Sequence, residues 1–88
     1  MNAAADGLRL AAALAQCEMA LVRGDPVAGP LLAQAARHAD GLPGAAAARA
    51  AAALQRQAGD DPATRKVVQA LTRAAVIEND ATLLGRAR

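Results

Sequence analysis

The stretch Gly44–Ala58, GAAAARAAAALQRQA, sets the fold class of this 88-residue chain. Alanine loses no side-chain entropy on entering a helix and buries no polar group, so such a block is helical. At 100° per residue Arg49 and Arg56 share one face, and Ala47, Ala51, Leu54 and Ala58 share the opposite one. That inner face carries one large side chain and little apolar area, but it lets a neighbouring backbone come close. A helix of this kind is expected to lie between bulkier helices as a smooth packing surface, ending at Gly59.

Towards the C-terminus, Asp61-Pro62 supplies an N-cap acceptor followed by proline at the first helical position, the clearest helix start in the chain. The spacing predicts a helix over 62–79, with Val67, Val68, Leu71, Ala74 and Ala75 inward and Arg65, Gln69 and Arg73 outward. Asn79-Asp80 is expected to end it. Asp80 would then cap a short last turn through Leu83 and Leu84, with 85–88 as a frayed tail. Towards the N-terminus, Gly41-Leu42-Pro43-Gly44 is a break. Before it, a helix from about Pro30 to Asp40 turns Leu31, Leu32, Ala35, Ala36 and Ala39 inward. Residues 25–29 are expected to form a turn or one irregular helical turn, because a proline at the fifth position of a helix begun at Pro26 would clash with a carbonyl.

Residues 3–23 read as the first helix, with Asn2 or Asp6 as candidate caps and Gly24 as the left-handed residue that ends it. Leu10, Leu14, Cys17 and Leu21 form one apolar stripe; Leu8, Ala15, Met19 and Val22 form the next. Arg9, Gln16 and Arg23 are the wet face. The apolar arc is wide enough for this helix to be covered on two sides. Nothing alternates with period two, so no strand is expected. The fold class is all-α: one domain over 1–88, of three to four antiparallel helices joined by short Gly/Pro/Asp turns, as a bundle or as tetratricopeptide-like helix pairs.

The second alternative rests on a resemblance. Gly24-Asp25-Pro26 and Gly59-Asp60-Asp61-Pro62 lie about 35 residues apart, each joining one helix to the next, which is about the tetratricopeptide period. ALAQCEMALVRGDPVAGPLLAQAARHADGLPG followed by AAAARAAAALQRQAGDDPATRKVVQALTRAA resembles a degenerate tetratricopeptide pair covering most of the chain. The family's aromatic positions are missing, and Pro30 departs from its second helix. The resemblance implies a right-handed stack of helix pairs and a chaperone or adaptor role. In size and helix-pair layout the chain is also similar to the co-chaperones that hold type III secretion needle subunits.

Composition narrows the chemistry. Alanine supplies 28 residues, and Phe, Tyr, Trp and Ser are absent. The core is therefore small, and the single Cys17 excludes a disulfide framework, so either marginal stability alone or help from a partner or self-association is expected. The net charge of +2 is spread over ten basic and eight acidic residues, which is not a polycation. Arg49 breaks the longest apolar run, no basic-then-apolar leader is read at the start, and a lone cysteine suits a reducing compartment; the cytoplasm is the expected location.

Catalytic nucleophiles are nearly missing. Cys17 sits on an apolar face as an inert thiol, and His38 flanks the second helix near its end. One His and one Cys do not make a zinc site, and the glycines stand singly at helix ends, so no metal or cofactor and no enzyme activity are expected. The second helix, the GLPG turn and the alanine helix imitate a helix-turn-helix in which Arg49, Gln55 and Arg56 would read bases. A loose turn, few cations and no stacking aromatics place this DNA-binding regulator behind the other readings.

The only two glutamates fall on apolar faces. Glu18 projects between Leu14, Ala11 and Val22, and Glu78 between Leu71, Val67 and Ala75. A charge so placed must be paired internally, reach water, or meet a cation on a partner. Taken as an interface, these faces give Leu10, Leu14, Glu18, Leu21, Val67, Leu71 and Glu78 as candidate partner-binding residues. The expected function is a non-catalytic adaptor or small chaperone that binds a partner helix or self-associates. A structural subunit assembling by helix packing is the alternative.

Overall fold

A computed structural model of the chain describes residues 3–58 and 61–86. Four helices follow one another: α1 (Ala3–Arg23), α2 (Ala28–His38), α3 (Ala45–Ala58) and α4 (Pro62–Arg86). Contacts run α1–α2, α2–α3, α3–α4 and α4–α1. Among the described residues the diagonal pairs α1/α3 and α2/α4 do not come within 8 Å between Cα atoms. The helices thus close into a ring, the arrangement of an all-α four-helix bundle whose short connections make neighbours antiparallel. Its long dimension, 41 Å against 20 and 19 Å across, is close to the roughly 1.5 Å per residue of α4.

Local chemistry sets the helix ends. Gly24, at φ 67°, closes α1 with a Schellman pair: its own N–H donates to the Leu21 carbonyl (3.2 Å), and the Asp25 N–H donates to that of Ala20 (2.9 Å). Asp25 then accepts the Val27 N–H on its side chain at 3.0 Å, and its carbonyl accepts the Ala28 N–H, which forms the irregular turn expected there. α2 starts two residues before Pro30. Proline is tolerated as its third residue because first-turn N–H groups have no intrahelical partner. At α4, Asp61 accepts both the Thr64 N–H (3.1 Å) and the Thr64 hydroxyl (2.6 Å), the N-cap read from the sequence. The expected stop of α3 at Gly59 and the cap at Asn2 lie outside the described residues. Asp6 is inside α1 and pairs with Arg9 at 3.6 Å.

The core is built from Leu10, Leu14, Cys17 and Leu21 of α1, Leu32 and Ala35 of α2, Ala48 and Ala51 of α3, and Val68 and Ala75 of α4. The alanine helix does act as a close-packing surface. At its start Gly44, φ 87°, passes so near α4 that a Cβ there would lie 2.8 Å from the Ala75 carbonyl oxygen.

α4 departs from the expectation in two ways. It does not end at Asn79 but continues to Arg86, so the helix covers residues 85 and 86 of the expected frayed tail. Its buried face is also turned, with Val68, Thr72, Ala75 and Asn79 inward, Val67 half exposed and Leu71 only partly buried. Polar satisfaction makes this possible. The Thr72 hydroxyl donates to the Val68 carbonyl at 2.8 Å, and the Asn79 amide donates to the Gly7 carbonyl of α1 at 2.9 Å. Both side chains can then enter the core without an unpaired polar atom.

Candidate partner-binding surface

α1 carries two apolar stripes, and the bundle covers one. Leu10, Leu14, Cys17 and Leu21 are buried against α2 and α4. The second stripe stays bare, with Leu8, Met19 and Val22 exposed at 62, 58 and 78%. α1 is covered by two neighbours, α2 and α4, as its wide arc suggests, yet they leave the second stripe uncovered. With Ala12 and Ala15, the bare residues recur at 8, 12, 15, 19 and 22, alternating steps of four and three along the helix side that points away from the core. Glu18, Met19, Val22 and Arg23 bound a shallow, open and mainly apolar patch on this side.

α4 carries a weaker counterpart. Val67 and Ile77 are exposed at 50 and 57%, and Ala70 and Ala81 lie bare on the same side. Between the two helices runs a groove of about 310 Å³ lined by Glu18, Leu21, Val22, Gln69, Ala70 and Arg73. Glu18 meets Arg73 across it at 3.5 Å, its side chain one-third exposed. Such a pair in contact with water contributes less than about 1 kcal/mol.

The sequence-predicted candidates therefore part company. Leu10, Leu14 and Leu21 lie in the closed core, where a partner reaches them only by opening the bundle. Glu18 is paired within the chain. Leu71 packs partly against the core, whereas Val67 and Glu78 are exposed. The residues that now matter, Leu8, Met19 and Val22, were visible as the second stripe of the first helix, but nothing in the sequence marks which stripe the fold would leave open. Arg73 as the partner of Glu18 follows only from the antiparallel register of α1 and α4.

Other chemistry is sparse. Cys17 is buried, and burial pushes its thiol up to about 11, which favours the protonated form at neutral pH. His38 is exposed at the end of α2. Among the described residues no group of three His, Cys, Asp or Glu side chains is placed to hold a metal ion. Arg49, one of the two cations of α3, lies 3.6 Å from Asp40, and Arg56 is exposed. No helix among the described residues is long and apolar enough to cross a membrane. No family model, no curated protein and no solved structure matches this chain.

Proposed function

We propose that the protein is a non-catalytic interaction module, an adaptor or small cytoplasmic chaperone that offers the outer stripe of α1 to an apolar helix. One observation carries this reading. Leu8, Met19 and Val22 stand at helical spacing on a rigid helix and remain mostly in water after the bundle has closed. A small domain gains nothing in its own stability from such a row, whereas covering it on association removes apolar surface at roughly 25 cal/mol per Å². An amphipathic helix anchored at steps of three and four residues is the complementary shape. The tetratricopeptide-like punctuation of the sequence points to the same class of role. The second reading, a structural subunit that assembles by helix packing, is supported by the separate exposed stripe on α4, since two apolar faces on one molecule allow a chain of contacts.

The test is co-purification from the native host of the wild type and of a Met19→Glu/Val22→Glu variant, with every retained protein identified and its stoichiometry measured. The wild type should retain itself or one stoichiometric helical protein. The variant should lose it while keeping its helix content and melting temperature. Retention of the same protein by the variant, or recovery of the wild type as a lone monomer at high concentration, would overturn the reading.

A further inference from the structure

We infer that the occupant of the α1 stripe is a second copy of this chain, with the two α1 helices packed in parallel about a twofold axis. The inference rests on the interaction-module reading and adds to it the partner and its orientation.

The stripe has the layout of a two-stranded coiled-coil seam. Leu8, Ala15 and Val22 fall at one core position of the heptad, and Ala12 and Met19 at the other. The positions that flank such a seam are then Ala11 and Glu18 on one side, and Arg9, Gln16 and Arg23 on the other. In a parallel pair each residue of the first flank faces the residue five places further along on the second flank of the other copy. Glu18 therefore meets Arg23 of the second copy, and by symmetry Arg23 meets its Glu18. The opposite orientation, centred on Ala15, sets Arg9 against the second copy's Arg23 twice and leaves Glu18 facing Ala11. Other antiparallel registers avoid that clash, but none brings a cation of the second copy to Glu18; only the parallel pair does. Like charges across such a seam act as a barrier to the wrong alignment.

Glu18, Met19, Val22 and Arg23, the two seam positions and the two flanks of one heptad, bound one open patch on this side. Arg23 is exposed and held toward this side by a contact of its guanidinium Nε with the Met19 carbonyl at 3.3 Å. The Glu18 side chain is one-third exposed beside Arg73, so its carboxylate can accept a second cation. Ala12 and Ala15 at mid-seam let the two backbones approach toward the short end of the usual 8–10 Å interaxial range. One helix face is less than a standard interface, so the dimer is weak and concentration-dependent.

Sedimentation with interference optics from about 1 μM to about 1 mM tests the pairing, since the chain has no aromatic side chain to absorb at 280 nm. The wild type should pass from monomer to dimer within that range. Met19→Glu should stay monomeric with unchanged circular dichroism, and Ile77→Glu, on α4, should dimerise like the wild type. Glu18→Arg and Arg23→Glu should each raise the dissociation constant roughly tenfold alone. Mixed together they should form a heterodimer, because one copy then presents two arginines and the other two glutamates. Val22→Cys should cross-link to itself on oxidation. Preferential cross-linking of Leu8→Cys to Val22→Cys would show the antiparallel pair and overturn the proposal. So would loss of the dimer in Ile77→Glu, or a wild-type monomer throughout. In that last case the docking reading itself stands if Met19→Glu/Val22→Glu sheds an identified stoichiometric partner, and falls if no such partner exists.

Discussion

The two stripes of α1, three leucines and Cys17 on one and Leu8, Met19 and Val22 with two alanines on the other, are both apolar and opposite in fate. Leu10, Leu14, Cys17 and Leu21 are at most 3% exposed, whereas Leu8, Met19 and Val22 on the same helix are more than half exposed. Helix propensity and amphipathic period do not separate them. Their neighbours do, because the ring of contacts puts α2 and α4 on one side of α1 and nothing on the other. An apolar stripe states that a face requires cover; the topology decides which face the chain covers itself.

The largest effect should come from shortening a residue on each stripe. Leu14→Ala removes a fully buried side chain and leaves a cavity between helices, at a cost of about 2–5 kcal/mol. Met19→Ala removes an exposed one and should change stability by no more than about 0.5 kcal/mol. Urea unfolding followed by circular dichroism, at a few micromolar so that self-association does not contribute, measures both. Equal effects would mean that the outer stripe is covered within the monomer, and the contrast between the faces would collapse.

A pair of glycines repeats the contrast with the backbone instead of the side chain. Gly44 has φ 87° and faces the Ala75 carbonyl at a distance no real Cβ tolerates, so Gly44→Ala should destabilise by at least about 1–3 kcal/mol as α3 and α4 are forced apart. Gly29 lies in α2 with open space where a Cβ would go. Gly29→Ala should stabilise by about 0.4–1 kcal/mol, since it only reduces the freedom of the unfolded chain. Thermal melts of the two variants give the sign directly. A neutral Gly44→Ala would show that the alanine helix does not hold α4 at close range.

Much of this fold was legible because its signals are local. Gly24 ends α1 through two backbone hydrogen bonds, and Asp61-Pro62 starts α4 through contacts no further than Thr64 and Arg65; both are determined within four residues. Leu10, Leu14 and Leu21 were legible as an apolar stripe at helical spacing, but not as the stripe the bundle buries. What escaped depends on partners far along the chain. Asn79 reads as a helix stop, yet its amide reaches Gly7, 72 residues away, and α4 runs on past it. Once Asn79 and Thr72 occupy core positions, the face of α4 turns and Val67 moves into water. Glu18 looked like an unmet charge because its arginine belongs to the opposite helix. The candidate surface was half legible, as its residues were visible as a stripe but its exposure was not.

The smallest effect expected is at a group with no buried surface at all. Asp61 caps α4 from outside the core, and the Thr64 hydroxyl, followed by the Thr64 N–H, holds its carboxyl below the ordinary value of 3.8. The folded pKa is depressed, so the contribution is present above that ordinary value and is lost as pH falls through the lower, folded one. Asp61→Ala should lower the melting temperature slightly at pH 7, and the difference from the wild type should vanish as the carboxyl is protonated. Asp61→Asn keeps a neutral acceptor at the cap and should behave like the wild type at pH 7 without that acid-dependent loss. Melts of the three proteins from pH 7 down to about pH 2 decide between them, the range spanning the ordinary carboxylate value and what lies below it. A pH-independent deficit in Asp61→Ala would locate the contribution in backbone preference at the helix start instead of in the ionised cap.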